Sequence, residues 1–208
     1  QQMLRDAVSR CLADTCPLDH VRECAERDNP LSDKVLHALH ELGVTGMLVP
    51  EAHGGLGMTL LDATVVAEQL AYAVAPVPFL ASHVLAPIAL SEAGSEPQKA
   101  HWLPKMVSGE VITAIAMTEP GTGSDLQGMR TTAKKDGNHY VINGSKTYIT
   151  NGQNADLILV CVKTDTDVQP AWKGVSIVLV EGDRERFSPG RNLVKIGQDE
   201  ADPSQLFF

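Results

Sequence analysis

Residues 116–125 read Ala-Met-Thr-Glu-Pro-Gly-Thr-Gly-Ser-Asp, and residues 140–152 read Tyr-Val-Ile-Asn-Gly-Ser-Lys-Thr-Tyr-Ile-Thr-Asn-Gly. Each stretch ends an apolar, strand-like run in hydroxyl-bearing residues beside a glycine turn. Val111–Met117 is the first strand candidate. Between the two stretches, Thr131–Lys135 and His139–Ile142 flank Asp136-Gly137-Asn138, the pattern of a hairpin. Asn143-Gly144 is a second turn, leading into Ser145–Thr150, and Asn151-Gly152 is a third. Leu157–Val162 and Val175–Val180 are rich in branched apolar residues, as buried strands are, and Leu206 opens one more.

Upstream of about residue 110 the period changes from two to that of a helix. Ser32 is placed to cap a helix carrying Val35, Leu36, Leu39 and Leu42 and ending at Gly43. Pro50–Gly57 is a loop. Leu60–Val74 is apolar at helical spacing and is stopped by Pro76 and Pro78. Leu80–Ala93 resumes, with a bend or restart expected at Pro87. Ser95 and Gln98 form a capping-box pattern that opens a helix through Trp102. Helices first and strands after predict an α+β chain: an all-α domain over residues 1–110, then a small antiparallel β-barrel or sandwich over residues 111–208.

Composition narrows the function classes. With 17 basic and 26 acidic residues the net charge is −9, against a nucleic-acid surface. No apolar run approaches the ~20 residues of a membrane span. The four cysteines, Cys11, Cys16, Cys24 and Cys161, form no C-x-x-C pair, and free thiols are expected. His37 and His40 lack a third ligand, so a packed or solvated pair is expected there rather than a metal site.

The residues that carry chemistry lie in the two opening stretches. Gly121-Thr-Gly123-Ser-Asp is neither a dinucleotide fingerprint nor a phosphate loop. It reads either as a glycine-rich bend or as a place where backbone comes close to a ligand while Ser124 offers a hydroxyl. Thr118 and Thr150 are good strand formers; at strand ends their hydroxyls and neighbouring amides can also serve a flat heteroaromatic ring. Tyr148, two residues before Thr150 and so on the same face of a regular strand, is either a wall for that ring or a core residue.

Taken together, Met117–Asp125 and Tyr140–Gly152 closely resemble the flavin-binding signature of the acyl-CoA dehydrogenases. The resemblance extends over nearly the whole chain: Gly43–Glu51 with Gly54–Gly57 is similar to the family's N-terminal helical domain. Trp102-Leu-Pro and Gly109-Glu110 are similar to its approach to the middle domain, and Arg191–Gly197 with Leu206–Phe208 to the end of its β domain. The resemblance implies FAD as cofactor. Ile115, Ala116, Met117 and Thr118 would lie along the pyrimidine side of the flavin, and Ser124 where the FAD pyrophosphate and the CoA portion of the substrate approach each other. Tyr148, Ile149 and Thr150 would stack on the ring and bond near N5. Tyrosine at 148, where relatives often carry tryptophan, is a mild departure that keeps the π-face.

The implied reaction is α,β-dehydrogenation of an acyl-CoA thioester, with an electron-transfer flavoprotein as acceptor and a homo-oligomer, dimer or tetramer, as the assembly. The family's base is a glutamate expected beyond Phe208. Glu51, Glu68, Glu119, Glu181 and Glu200 do not match its position. The chain by itself is therefore expected to lack dehydrogenase activity and to bind FAD weakly or not at all. Two alternatives share the fold: a flavin monooxygenase or oxidase, and a non-catalytic subunit of a mixed assembly. Ala75–Phe79 resembles bacterial relatives, which implies a cytoplasmic enzyme; the mitochondrial matrix is the alternative.

Overall fold

The structure, a computed structural model, describes residues 1–27, 29–185, 187–193, 195 and 203–208. They form two compact units that meet in sequence between Ile112 and Thr113.

The first unit is helical: α1 (Gln2–Thr15), α2 (Leu18–Ala25), α3 (Asp33–Glu41), α4 (Leu60–Tyr72), α5 (Ala86–Ala93) and α6 (Glu96–Ser108). Local chemistry explains the ends. The Ser32 hydroxyl accepts from the Val35 amide at 3.2 Å and starts α3. Thr59–Asp62 and Ser95–Gln98 form reciprocal capping boxes on α4 and α6. Gly109, at φ 74°, closes α6 in the left-handed conformation. Val8 and Leu12 of α1, Val35 and Leu39 of α3, and Ala63, Val66 and Leu70 of α4 share one core. α1 and α2 go beyond the elements expected from sequence. Their apolar residues are few, and α1 buries only Val8 and Leu12 along its length.

The expected break near Pro87 is a widening rather than a bend. Residues Leu80–Leu85 form a π-helical turn, in which the Ala86 amide donates to the Ala81 carbonyl. Pro87 has no N–H to return to the turn before it, so the helix is re-registered across that point.

The second unit holds two open sheets. β1 (Thr113–Ala116), β2 (Thr132–Asp136), β3 (His139–Asn143), β5 (Leu157–Lys163) and β6 (Val175–Glu181) form one. β4 (Ser145–Ile149), β8 (Ser204–Phe207) and β7 (Ser188–Asn192) form the other, in that order. β2 and β3 pair as the expected hairpin, Asp136 opposite His139. The helix-then-strand architecture is as expected, but the larger sheet is mixed rather than wholly antiparallel. β1 runs parallel to β5, Thr113 opposite Leu157 through Ala116 opposite Val160. The long connection between them, which contains β2, β3 and β4, permits a parallel return that a short turn could not. β5 is buried along almost its whole length, which explains its unbroken apolar run. Ile158, Val160 and Val162 from the larger sheet pack with Ile149 and Leu206 from the smaller, so the core lies between the sheets as in a sandwich.

Asn143-Gly144 is the corner where the chain changes sheets. Gly144 sits at φ 155°, and a Cβ there would lie 2.4 Å from the Thr131 hydroxyl and 2.7 Å from its Cα, so only glycine fits the crossing. Of the segment Arg191–Gly197, residues 194, 196 and 197 lie outside the described residues, as does Glu200.

Candidate functional site

The site grows from the end of β1. Past Ala116 the chain leaves the sheet as Met117-Thr118 and folds back at Pro120-Gly121. Glu119 and Thr122 close this turn through paired backbone bonds of 2.9 and 3.0 Å. Asp125 then caps the short 3-10 turn Leu126–Gly128 through the Gln127 amide at 3.2 Å. Ser124 is exposed on the outer side of this loop.

β4 runs beside it. The Thr147 amide donates to the Thr118 carbonyl at 2.9 Å, and the Lys146 ammonium donates to the Met117 carbonyl at 2.9 Å. These two bonds bring Ile115–Thr118 and Tyr148–Thr150, separate in sequence, into one wall. Asn151, buried at φ 64°, donates its side-chain amide to the Thr113 carbonyl at 3.0 Å and so ties the far end of the same segment to the start of β1.

Within this wall one expectation is corrected. Tyr148 and Thr150 do not share the face of a regular strand. The β4–β8 pairing breaks between Lys146 and Ile149, Tyr148 adopts φ 58°, and β4 ends at Ile149, leaving Thr150 in the following turn. The bulge turns Tyr148 outward, 69% exposed, while Lys146, Thr147 and Ile149 are buried. Tyr148 is thus not a core residue. A tyrosine in the left-handed region costs on the order of 1–3 kcal/mol, and such residues concentrate at functional sites.

Lys146, passed over in the sequence, and Glu119, weighed there only as a base, hold the wall together. Lys146 is fully buried, and Glu119 is 6% exposed. The Lys146 ammonium lies 2.9 Å from Glu119 Oε1. The same carboxylate accepts from the Arg130 amide at 2.6 Å and the Thr131 amide at 3.0 Å. Burial alone would raise the Glu119 pKa. That effect is outweighed by the Thr131 hydroxyl, which lies beside the carboxylate outside strict hydrogen-bond geometry, by the Arg130 amide, by Lys146 and by the Thr131 amide; the carboxyl is held down at about 2. A carboxylate so engaged is a poor proton acceptor. The other glutamates of the described residues considered above stand elsewhere: Glu51 in a 3-10 turn of the helical unit, Glu68 on α4 paired with Arg5, and Glu181 at the end of β6 paired with Arg184.

The donor set fits a flavin. Neither Gly121 nor Gly123 has a positive φ, and a Cβ at either would meet nothing within 4 Å. Neither backbone conformation nor internal packing therefore calls for glycine, whereas a ligand lying against the loop would. Ser124 is exposed in the same loop, and Thr150 and the outward ring of Tyr148 are exposed on the neighbouring segment; hydroxyls and an aromatic face are components that a flat ring with polar edges and a phosphate tail uses.

Elsewhere, His40 Nδ1 lies 3.1 Å from both the Thr45 hydroxyl and the Val107 carbonyl, a packed arrangement. Among the described residues no cluster of three or more histidine, cysteine or acidic side chains is arranged to hold a metal. All four cysteines are free thiols. No helix of the described residues is long and apolar enough to cross a membrane.

Residues 1–110 match the acyl-CoA dehydrogenase N-terminal domain, and residues 114–208 match the acyl-CoA dehydrogenase middle domain. The chain belongs to the acyl-CoA dehydrogenase family. It is 40% identical over 185 residues to the mitochondrial long-chain specific acyl-CoA dehydrogenase of Sus scrofa, an alignment covering 88% of this chain and 43% of that protein. Its fold superposes on the crystal structure of an acyl-CoA dehydrogenase from Geobacillus kaustophilus with a TM-score of 0.91 and 38% identity, covering 100% of this chain and 54% of that one. A glutaryl-CoA dehydrogenase from Mycobacterium smegmatis, solved in complex with FADH2, aligns with a TM-score of 0.86 and 27% identity over 99% of this chain and 51% of its own. The chain therefore spans about half the length of the relatives it resembles.

Proposed function

We propose that this chain forms the flavin- and thioester-facing part of an FAD-dependent acyl-CoA dehydrogenase. The observation that carries the reading is the stitching of Ile115–Thr118 to Tyr148–Thr150 through the Thr147 amide and the Lys146 ammonium. It draws the segment ending in Thr118, just before the Gly121–Gly123 loop, up to the segment that carries the strained, outward Tyr148 and Thr150.

In this reading Ile115–Thr118 hold the pyrimidine edge of the flavin through backbone groups and the Thr118 hydroxyl. Tyr148 covers a face of the ring, Ile149 and Thr150 lie near N5, and Ser124 meets both the FAD pyrophosphate and the CoA portion of the substrate. Bound FAD supplies the hydride acceptor for oxidation of the acyl chain. The protein groups bind and orient ring and thioester, and keep water from the ring face. Glu119, ionised and buried against Lys146, is assigned no proton-transfer role. Substrate is an acyl-CoA, the electrons pass on to an electron-transfer flavoprotein, and the working protein is a homo-oligomer.

The test is FAD binding followed residue by residue. FAD added at up to millimolar concentration to the isotope-labelled chain is expected to bind weakly and to shift the amide resonances of 115–118, 124 and 148–150. ADP alone is expected to leave 115–118 and 148–150 unmoved. FAD shifts confined to other residues would refute the reading.

A further inference from the structure

Among the described residues of the second unit Lys146 and Glu119 are the most deeply buried charges, and their bonds have a particular distribution. Lys146 leaves β4 two residues before Tyr148 and reaches both the Met117 carbonyl and the Glu119 carboxylate, each at 2.9 Å. Glu119 in turn receives the amides of Arg130 and Thr131. One pair thus touches the end of β1, the Pro120-Gly121 turn, the start of β2 and the strand that carries the bulge. On the other side of the bulge, Ile149 is buried in the inter-sheet core. Tyr148 is held in its left-handed conformation between these two anchors.

A pair that served stability alone would have an apolar equivalent of similar volume, since buried ion pairs contribute little net stability over such replacements. What an apolar replacement cannot reproduce is the directed bond to the Met117 carbonyl, which fixes the first segment of the wall relative to the second. We infer that Glu119 and Lys146 are positioning residues for the flavin wall: together they set Met117-Thr118 and the Tyr148 bulge at the mutual position in which both face the ring. The inference rests on the flavin reading for what the wall holds, and on the bonds themselves for what the pair does.

The experiment compares the full chain with a Lys146→Met/Glu119→Gln variant by amide hydrogen exchange without flavin, using β5 as the reference for the fold. Exchange at 117–119 and 147–150 is expected to quicken by roughly ten-fold or more while β5 stays as protected as in the wild type. FAD affinity of the same preparations is expected to fall by roughly ten-fold. Wild-type exchange in both segments overturns the inference. If the double variant loses β5 protection, Lys146→Gln/Glu119→Gln, which shortens the reach to the Met117 carbonyl but keeps hydrogen-bonding groups at both positions, serves in its place, and there wild-type exchange in both segments, or quickening in step with β5, overturns the inference. FAD shifts in the wild-type chain that leave 115–118 and 148–150 unmoved would refute the flavin reading, while the exchange comparison would still decide the role of the pair.

Discussion

An ammonium group taken out of water costs several kcal/mol unless a counter-charge and hydrogen bonds meet it. Lys146 finds both, in Glu119 and the Met117 carbonyl. Removing one partner leaves the other buried and uncompensated, so Lys146→Met alone is expected to destabilise the second unit by about 3–5 kcal/mol. Urea unfolding followed through β5 exchange measures this; a loss within experimental error would show that water reaches Glu119. The pair was not legible in the sequence. By strand alternation Lys146 shares a face with Tyr148 and Thr150, and nothing in Ser-Lys-Thr-Tyr distinguishes a lysine turned inward from one turned to solvent. Ser124, Thr118 and Tyr148 stand out in the sequence because hydroxyls and an aromatic ring at strand ends beside glycines carry their own chemical meaning.

At the level of elements, what depends on neighbours in sequence could be read and what depends on distant partners could not. The Ser95–Gln98 capping box and the β2–β3 hairpin are local, and both stand where their residues predict. The bulge in β4 is imposed by β8, some 55 residues on, and by the anchor at Lys146, so the segment read as a regular strand. The parallel pairing of β1 with β5 was hidden for the same reason. The bulge has a consequence for Tyr148. Asparagine tolerates the left-handed region better than tyrosine does, so Tyr148→Asn is expected to leave stability within about 1 kcal/mol of the wild type or raise it. The same change is expected to weaken FAD binding, because the ring that covers the flavin is gone. Thermal unfolding and FAD titration of one variant check both; a large loss of stability would mean that the Tyr148 ring is needed by the fold.

Over the whole molecule the helical unit and the sheet unit each have a core of their own, and among the described residues each holds a buried group whose titration opposes folding in acid. In the helical unit it is His83, 2% exposed in the π-helical turn, with both ring nitrogens lacking a hydrogen bond of good geometry. Burial, only partly opposed by the nearby Thr45 backbone, lowers its pKa from 6.5 to about 4. The unfolded chain takes up a proton below pH 6.5 and the folded one does not until about 4. Stability is therefore full above that window and falls through it as pH drops, by on the order of 3 kcal/mol. In the sheet unit Glu119 is held ionised down to about 2 against an ordinary 4.5. Its contribution is complete above 4.5 and is lost only as pH falls toward 2, by a similar amount. The windows barely overlap, so acid is expected to weaken the helical unit first. Amide exchange of α3 and α4 should quicken between neutral pH and about pH 4, after correction for the intrinsic rate, while β5 keeps its protection until the pH falls lower. His83→Leu should flatten the first change and leave the second. Loss of α3, α4 and β5 protection at one common pH would show instead that the two units unfold in acid as one.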